Sequence, residues 1–299
     1  MSKIFEVLSK DNLLDLQEVS NSSELEQLAT PAKAFEETST ATLDTGVPAP
    51  ARPESAVREV SLRASALTPV FPFFDEMHSA AAEQYRIIRT KLLHSPKKAR
   101  VIVVSSPSSG DGKTISSINI AASLSLKENF SVLLVDADLR RPAIADLLGL
   151  SSTPGLADVL SGRATLNAAM VHPVEFPNLC ILPAGDARHA AAELLASERW
   201  PGIIEQFRTQ FDLVIVDATP IAVVADFELL QHVSDGVVVV IRPDHTDRTA
   251  CLTALRSVTK EKFIGIVLNC LEDWLFCKTY HYEYYGKNSK STLTTTPRV

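Results

Sequence analysis

Gly110-Asp111-Gly112-Lys113-Thr114 sets two glycines, a lysine and a hydroxyl within five consecutive positions. Glycines let backbone N–H groups turn inward around an anion, and a helix that starts there adds its partial positive charge. Lys113 offers a mobile cation, and Thr114 a hydroxyl able to ligate a divalent metal. This is phosphate-binding chemistry, with Ser109, Gly110, Asp111, Gly112, Lys113, Thr114 and Ile115 as the candidate residues. It requires a strand running into the loop and a helix running out of it, and residues 101–106 (VIVVSS) and 114–128 supply both patterns. The general motif has glycine where this chain has Pro107. The Lys-Thr pair and its strand–helix setting outweigh that departure.

Two further apolar runs deliver acids. VLLVDADLRRP ends a strand with Asp136 and Asp138 and continues into Arg140 and Arg141, and LVIVDATP ends another with Asp217. A carboxylate at the end of a buried strand is costly to desolvate unless something cationic accompanies it. Mg²⁺ on a nucleotide is such a cation, so Thr114, Asp136, Asp138 and Asp217 are the candidate metal residues, and Lys113 with the three acids the candidate catalytic group.

The elements that must position these residues are legible as short apolar runs. Residues 101–106, 132–136, 179–183, 211–217, 236–242 and 263–269 are rich in Val and Ile and unbroken rather than alternating. That pattern marks strands covered on both faces, hence a parallel sheet, and helical segments such as 114–128, 222–233 and 246–262 lie between them. The expected fold is α/β, a doubly wound, mostly parallel sheet, with ligands beyond the carboxyl ends of the strands. A helix from about residue 75 should bury Met77, Ala81, Tyr85, Ile88 and Leu92 as one stripe.

Charge separates the ends from this body. Residues 1–80 hold 13 acids and 6 bases, leaving 23 of each sign in the rest of a chain whose net charge is −7. A neutral body has no basic excess to hold a nucleic-acid backbone, which argues against that partner. Residues 1–28 read as a short amphipathic, helical segment and 29–74 as an acidic linker rich in Pro, Ala, Ser and Thr. The folded domain is expected over 75–278 and a polar tail over 279–299. No apolar run is long enough for a bilayer span and no secretory leader is seen, so a cytoplasmic location is expected. Cys180, Cys251, Cys270 and Cys277 lack CxxC spacing and read as reduced structural thiols.

With these boxes in view the chain resembles the bacterial tyrosine kinases of capsular and exopolysaccharide systems, P-loop autokinases of the Walker A/A′/B type. SGDGKT matches Walker A, LLVDADLRRP the second acidic box (A′) and VIVDATP Walker B. PGLADVLSG, ILPAGDARHAAAELLAS, VADFELLQHVSDGVVVVIRP and GIVLN support them. MSKIFEVLSK is similar to the opening of members linked to exosortase-type polysaccharide loci. The resemblance covers about residues 80–285 and implies ATP and Mg²⁺ as cofactors. It also implies Asn269 as an adenine contact, and one of the aspartates as acceptor of the tyrosine proton. Glu83, Arg86 and Arg89 match a helix by which the family assembles into a ring, whereas their spacing alone describes a solvated face. The resemblance further implies a separate transmembrane co-polymerase as activator, with membrane contact only through it. Two departures are Ala218-Thr219-Pro220 after the Walker B acid, where a Thr or Ser and two prolines are usual, and Asn129 in place of a glycine.

The chain has only five tyrosines, and Tyr280, Tyr282, Tyr284 and Tyr285 crowd into six positions of its polar tail. They are the expected autophosphorylation sites. From Lys278 to Val299 the tail carries a balance of +3, so two phosphates of about −1.5 to −2 each bring it to neutral or below. Two rival readings stay open on sequence alone. One is a Min/Par-type ATPase switch, which would have a lysine where Ser108 stands. The other is a non-catalytic ATP-binding regulatory subunit of a polysaccharide synthase.

Overall fold

Side chains alternate across a strand, so a run that is apolar at every position must be covered twice. Val101, Val103, Leu133, Val135, Val214 and Val216 enter one apolar cluster. Their neighbours Ile102, Val104, Val132, Leu134, Leu213 and Ile215 enter a second. Helices are therefore required on both faces. The computed structural model describes residues 7–8, 57–62, 79–187, 190–221 and 225–270, and meets that requirement.

In chain order the elements are β1 (Val7–Leu8), β2 (Arg58–Val60), α1 (Ala80–Leu93), β3 (Val101–Ser105), α2 (Lys113–Ser125), β4 (Val132–Asp136), α3 (Ile144–Leu148) and α4 (Leu156–Leu160). They continue with α5 (Leu166–Ala169), β5 (Val171–Pro173), β6 (Leu179–Leu182), α6 (Ala191–Leu195), α7 (Arg199–Gln210) and β7 (Leu213–Asp217). The series ends with α8 (Asp226–Val233), β8 (Gly236–Ile241), α9 (Arg248–Ser257) and β9 (Phe263–Leu268). Tyr85 and Ile88 of α1 pack with Ile118 and Leu124 of α2 on one face. Trp200 and Phe207 of α7, Phe227 and Leu230 of α8 and Leu255 of α9 fill the other.

The sheet runs β1-β9-β8-β3-β7-β4-β6-β5-β2. The six consecutive members from β9 to β6 are parallel, while β1 joins β9 and β5 joins β6 antiparallel. The path from β3 to β4 steps over β7, so strand order reverses beside β3, where open α/β sheets place ligands. Register completes the arrangement: Asp217 is the strand partner of Val104 on one side and of Asp136 on the other.

Three details differ from the sequence expectations. The buried stripe of α1 is Ala82, Tyr85, Ile88 and Leu92, with Ala82 in place of Ala81; Ser79 caps the helix through Ala82 N–H, and three-residue and four-residue steps both stay on one face. Met77 lies outside the described residues. Val7–Leu8 pairs as a strand inside the segment read as helical. Arg58–Val60 forms a strand on β5 inside the segment read as linker. Glu175 anchors the latter end by accepting from Ser61 Oγ at 2.6 Å and Leu62 N–H at 3.1 Å. Asn129 adopts φ 53°, so it does the work of the expected glycine with a residue that tolerates left-handed backbone. The described cysteines Cys180, Cys251 and Cys270 are free thiols.

Candidate active site

β3 ends at Ser105, and the chain from Ser106 to Gly112 turns back to start α2 at Lys113. Gly110 and Gly112 hold φ 89° and 92°, conformations that L side chains rarely adopt. Gly112 has a second reason: an added Cβ would lie 2.0 Å from Asn269 Nδ2. Thus the glycine pattern reflects both backbone sign and crowding.

Lys113 Nζ lies 2.8 Å from Asp138 Oδ2 and 3.8 Å from Asp217 Oδ2. Thr114 Oγ1 donates to Asp217 Oδ2 at 2.7 Å, and Ser117 Oγ to Asp217 Oδ1 at 3.0 Å. The structure therefore brings Lys113, Thr114, Asp138 and Asp217 together as the sequence reading expected. Ser117 was missed, although it stands three residues after Thr114 and so shares its side of the helix. Ala218 and Thr219 are buried, and Thr219 C=O accepts Ser105 Oγ at 2.6 Å. The altered residues after Asp217 thus leave its two hydroxyl donors in place.

Asp136 sits deeper. Its Oδ2 accepts the N–H groups of Ala143 and Ile144, each at 3.1 Å, while Oδ1 is buried with no hydrogen-bond partner. Burial first, and the nearby Asp217 charge second, push its carboxyl up to about 7 against those two N–H donors. Burial likewise raises Asp217, opposed by Lys113 and the two hydroxyls. For Lys113 burial works the other way, but Asp217 and then Asp138 hold the ammonium above the usual lysine range. Lys113 is the cation paired with Asp138 and Asp217, and one oxygen of Asp136 is buried without a hydrogen-bond partner.

Other candidates take different places. Ser109 and Gly110 are exposed at the turn, and Ile115 packs partly against the core beneath α2. Asp111 is buried, with its carboxylate bonded to Ser108 N–H and to Thr246 Oγ1. Asn269 Nδ2 donates to Asp111 C=O at 2.9 Å, while its Oδ1 is buried without a partner. Within α1, Arg86 pairs with Glu83 at 2.9 Å, and Arg89 Nη1 donates to Ser123 C=O at 3.0 Å. Tyr280, Tyr282, Tyr284 and Tyr285 lie outside the described residues.

Arg140 and Asp226 were not foreseen as partners. Arg140 donates Nε to Asp226 Oδ2 at 2.7 Å and Nη2 to Oδ1 at 3.0 Å, a two-point fork joining the A′ loop to the start of α8. Asp226 is 1% exposed in its side chain but Arg140 45%. Breaking a fully buried pair costs about 3–5 kcal/mol because a charge is stranded; the open arginine reduces that, and Arg140→Ala should lose roughly 2–3 kcal/mol. Urea denaturation measures it, with Arg140→Lys recovering less than half because the fork is lost. Wild-type stability in the alanine variant would exclude this strut.

Comparison with known proteins now adds to the geometry. The AAA domain family matches residues 99–261. Tyrosine-protein kinase YwqD of Bacillus subtilis (strain 168) is 31% identical over 215 residues, covering 71% of this chain and 89% of that one. The succinoglycan biosynthesis transport protein ExoP of Rhizobium meliloti (strain 1021) is 32% identical over 202 residues, or 65% of this chain and 25% of ExoP. Among solved structures, the VpsO kinase domain superposes with a TM-score of 0.58 at 32% identity, over 62% of this chain and 93% of that domain. Together with a phosphate loop, an A′ acid pair and a Walker B acid held in one cluster, these likenesses place the chain in the bacterial tyrosine-protein kinase family.

Proposed function

We propose that the chain is an ATP-dependent autokinase that phosphorylates its C-terminal tyrosines in trans, and so regulates synthesis and export of an extracellular polysaccharide. One observation carries the choice of acceptor. Of five tyrosines, Tyr85 is 1% exposed in the core between α1 and α2, leaving the four at 280, 282, 284 and 285. Burial also raises the Tyr85 phenol far above its ordinary range.

The residues present fit Mg-ATP. Among the described residues no three acidic, histidine or cysteine side chains form a ready-made metal cage. Mg²⁺ suits a sparser site, since it takes one or two carboxylates, keeps waters and binds through substrate phosphates. Thr114 and Asp217 would hold it, with Asp136 Oδ1 and Asp138 beside them. Bound there, the ion would supply positive charge to offset that of the transferring phosphoryl group. Lys113 exchanges Asp138 for phosphate oxygens, and Asp138 then takes the proton of the acceptor tyrosine. A phenolic oxygen–phosphorus bond forms as the bond from the γ-phosphorus to the bridging oxygen breaks, its electron pair leaving with ADP. Asn269 Oδ1 is the group we assign to adenine.

Partners follow the same reading. The chain matches a quarter of ExoP, which supports a separate transmembrane activator that recruits this cytoplasmic subunit to the membrane face. No helix among the described residues is long and apolar enough to cross a membrane. Glu83, Arg86 and Arg89 are assigned to a ring contact, in which the two arginines would trade their present within-subunit bonds for carboxylates of a neighbour. Loss of positive charge from the phosphorylated tail would then loosen the ring.

A mixing experiment tests the acceptor and the trans route together. A donor with all four tail tyrosines changed to phenylalanine should lose most phosphotyrosine yet still bind ATP. Mixed with a Lys113→Met acceptor, it should place phosphate on the acceptor's tail, read by mass spectrometry. Phosphate chiefly on Tyr85, or none on the acceptor, would sink the proposal.

A further inference from the structure

The phosphate loop is gripped from the side of β8 and β9, away from the acids of β4 and β7. Asp111, fully buried, accepts Ser108 N–H on Oδ2 at 2.8 Å and Thr246 Oγ1 on Oδ1 at 2.7 Å. Thr246 belongs to the turn that follows β8, closed by Thr246 N–H to Arg242 C=O at 2.8 Å. Its hydroxyl oxygen also accepts Arg242 N–H at 3.1 Å. Next to it, His245 Nε2 is 3.2 Å from Ser109 C=O, and an added Cβ on Gly110 would stand 3.0 Å from the same nitrogen. Asn269 holds Asp111 C=O from the end of β9. Ser109 and Asp111 thus bond to groups at these two strand ends, which leave no room for an unstrained side chain at Gly110 or Gly112.

Asp111 has no lysine or arginine partner among the described residues; His245 Nε2, at 4.0 Å, is the one basic nitrogen near it. A buried carboxylate in a loop shaped for anions is unfavourable unless its donors hold it. Neither does it join the acid cluster: Lys113, Thr114 and Ser117 make their bonds to Asp138 and Asp217 without it. Its contacts have one mechanical consequence, which is to tie the path of the loop to the turn at 242–246.

We propose that the His245–Thr246 turn is a clasp that presets the phosphate loop for ATP, with Thr246 as a positioning residue acting through Asp111. Apparent affinity falls in proportion to the fraction of molecules whose site is already shaped for the ligand. Opening the clasp should therefore weaken ATP binding while leaving the chemistry of bound ATP untouched. The inference rests on the loop being an ATP site, and the experiment separates the two.

In the full chain, Thr246→Val removes the hydroxyl at nearly constant shape, and Thr246→Ser keeps it. A hydrogen bond to a charged group corresponds to roughly a tenfold or larger change. Thr246→Val should raise the KM for ATP, and the Kd of a non-hydrolysable ATP analogue with Mg²⁺, about tenfold, with kcat within about twofold. Thr246→Ser should stay within about twofold on both. A purely structural threonine would instead lower the melting temperature and leave KM alone, and that result overturns the clasp. Failure of serine to restore KM overturns it as well. If the valine variant does not fold, His245→Ala leaves both bonds of Asp111 intact and should raise KM about threefold at constant kcat; wild-type KM there is equally fatal. A wild-type chain that binds no analogue would instead overturn the reading of the loop itself.

Discussion

Lys113→Met is expected to reduce autophosphorylation by about a hundredfold to a thousandfold, the size usual for loss of one preorganised donor to transition-state charge. Phosphoryl transfer asks little covalent help of the protein, so positioning and charge neutralisation carry most of the rate. The structure adds a second expectation. Lys113 is the cation between Asp138 and Asp217, and methionine removes the charge that offsets the mutual repulsion of these carboxylates and Asp136. The variant should fold but melt lower than wild type at pH 8 in the absence of nucleotide. Phosphotyrosine blotting and a melting curve on the same preparation read both effects. Wild-type rates of autophosphorylation would show that the site is misassigned.

The sheet and its ligand edge could be read from sequence because their signals are local and redundant. Val101–Ser105, Leu213–Asp217 and Phe263–Leu268 are each apolar almost throughout, and a buried parallel strand leaves little else for such a run to be. Lys113, Thr114 and the three aspartates could be read because each sits at a strand end or a helix start, where topology alone brings them to one edge. What escaped were pairings between side chains remote in sequence. Arg140 meets Asp226 across 86 positions and Asp111 meets Thr246 across 135, and no periodicity encodes such a distance. Val60 escaped for another reason: three residues of strand at a sheet edge, set in Pro- and Ala-rich text, are too short for alternation to register. Asp111 shows a subtler limit. Its place inside the motif suggested a ligand contact, and nothing in the motif pointed to the bonds its carboxylate makes with Ser108 N–H and Thr246 Oγ1.

Asp136→Asn should make the nucleotide-free protein more stable at pH 8 while lowering kinase activity about a hundredfold. Burial, and then the Asp217 charge, push the carboxyl up to about 7 in the folded chain from an ordinary value of 3.8. A raised acid binds an extra proton in the native state between those two values, so the folded state loses stability as pH climbs from about 4 to 7. The penalty is complete above 7 and absent below 4, and on the order of 4 kcal/mol is its ceiling. Asparagine keeps an oxygen for Ala143 and Ile144 N–H, and puts an NH₂ where Oδ1 now has no donor. A gain of several degrees in melting temperature is expected at pH 8, shrinking to nothing at pH 4. Saturating Mg-ATP should narrow the gap from the other side, because a ligand that needs the carboxylate stabilises the wild type more. An acid that is unfavourable for folding alone but favourable once a cation shares its site would behave as a binding group rather than a structural one, and this pair of measurements tells the two apart. An asparagine variant no more stable than wild type at pH 8 would show that the charge of Asp136 is already compensated within the protein.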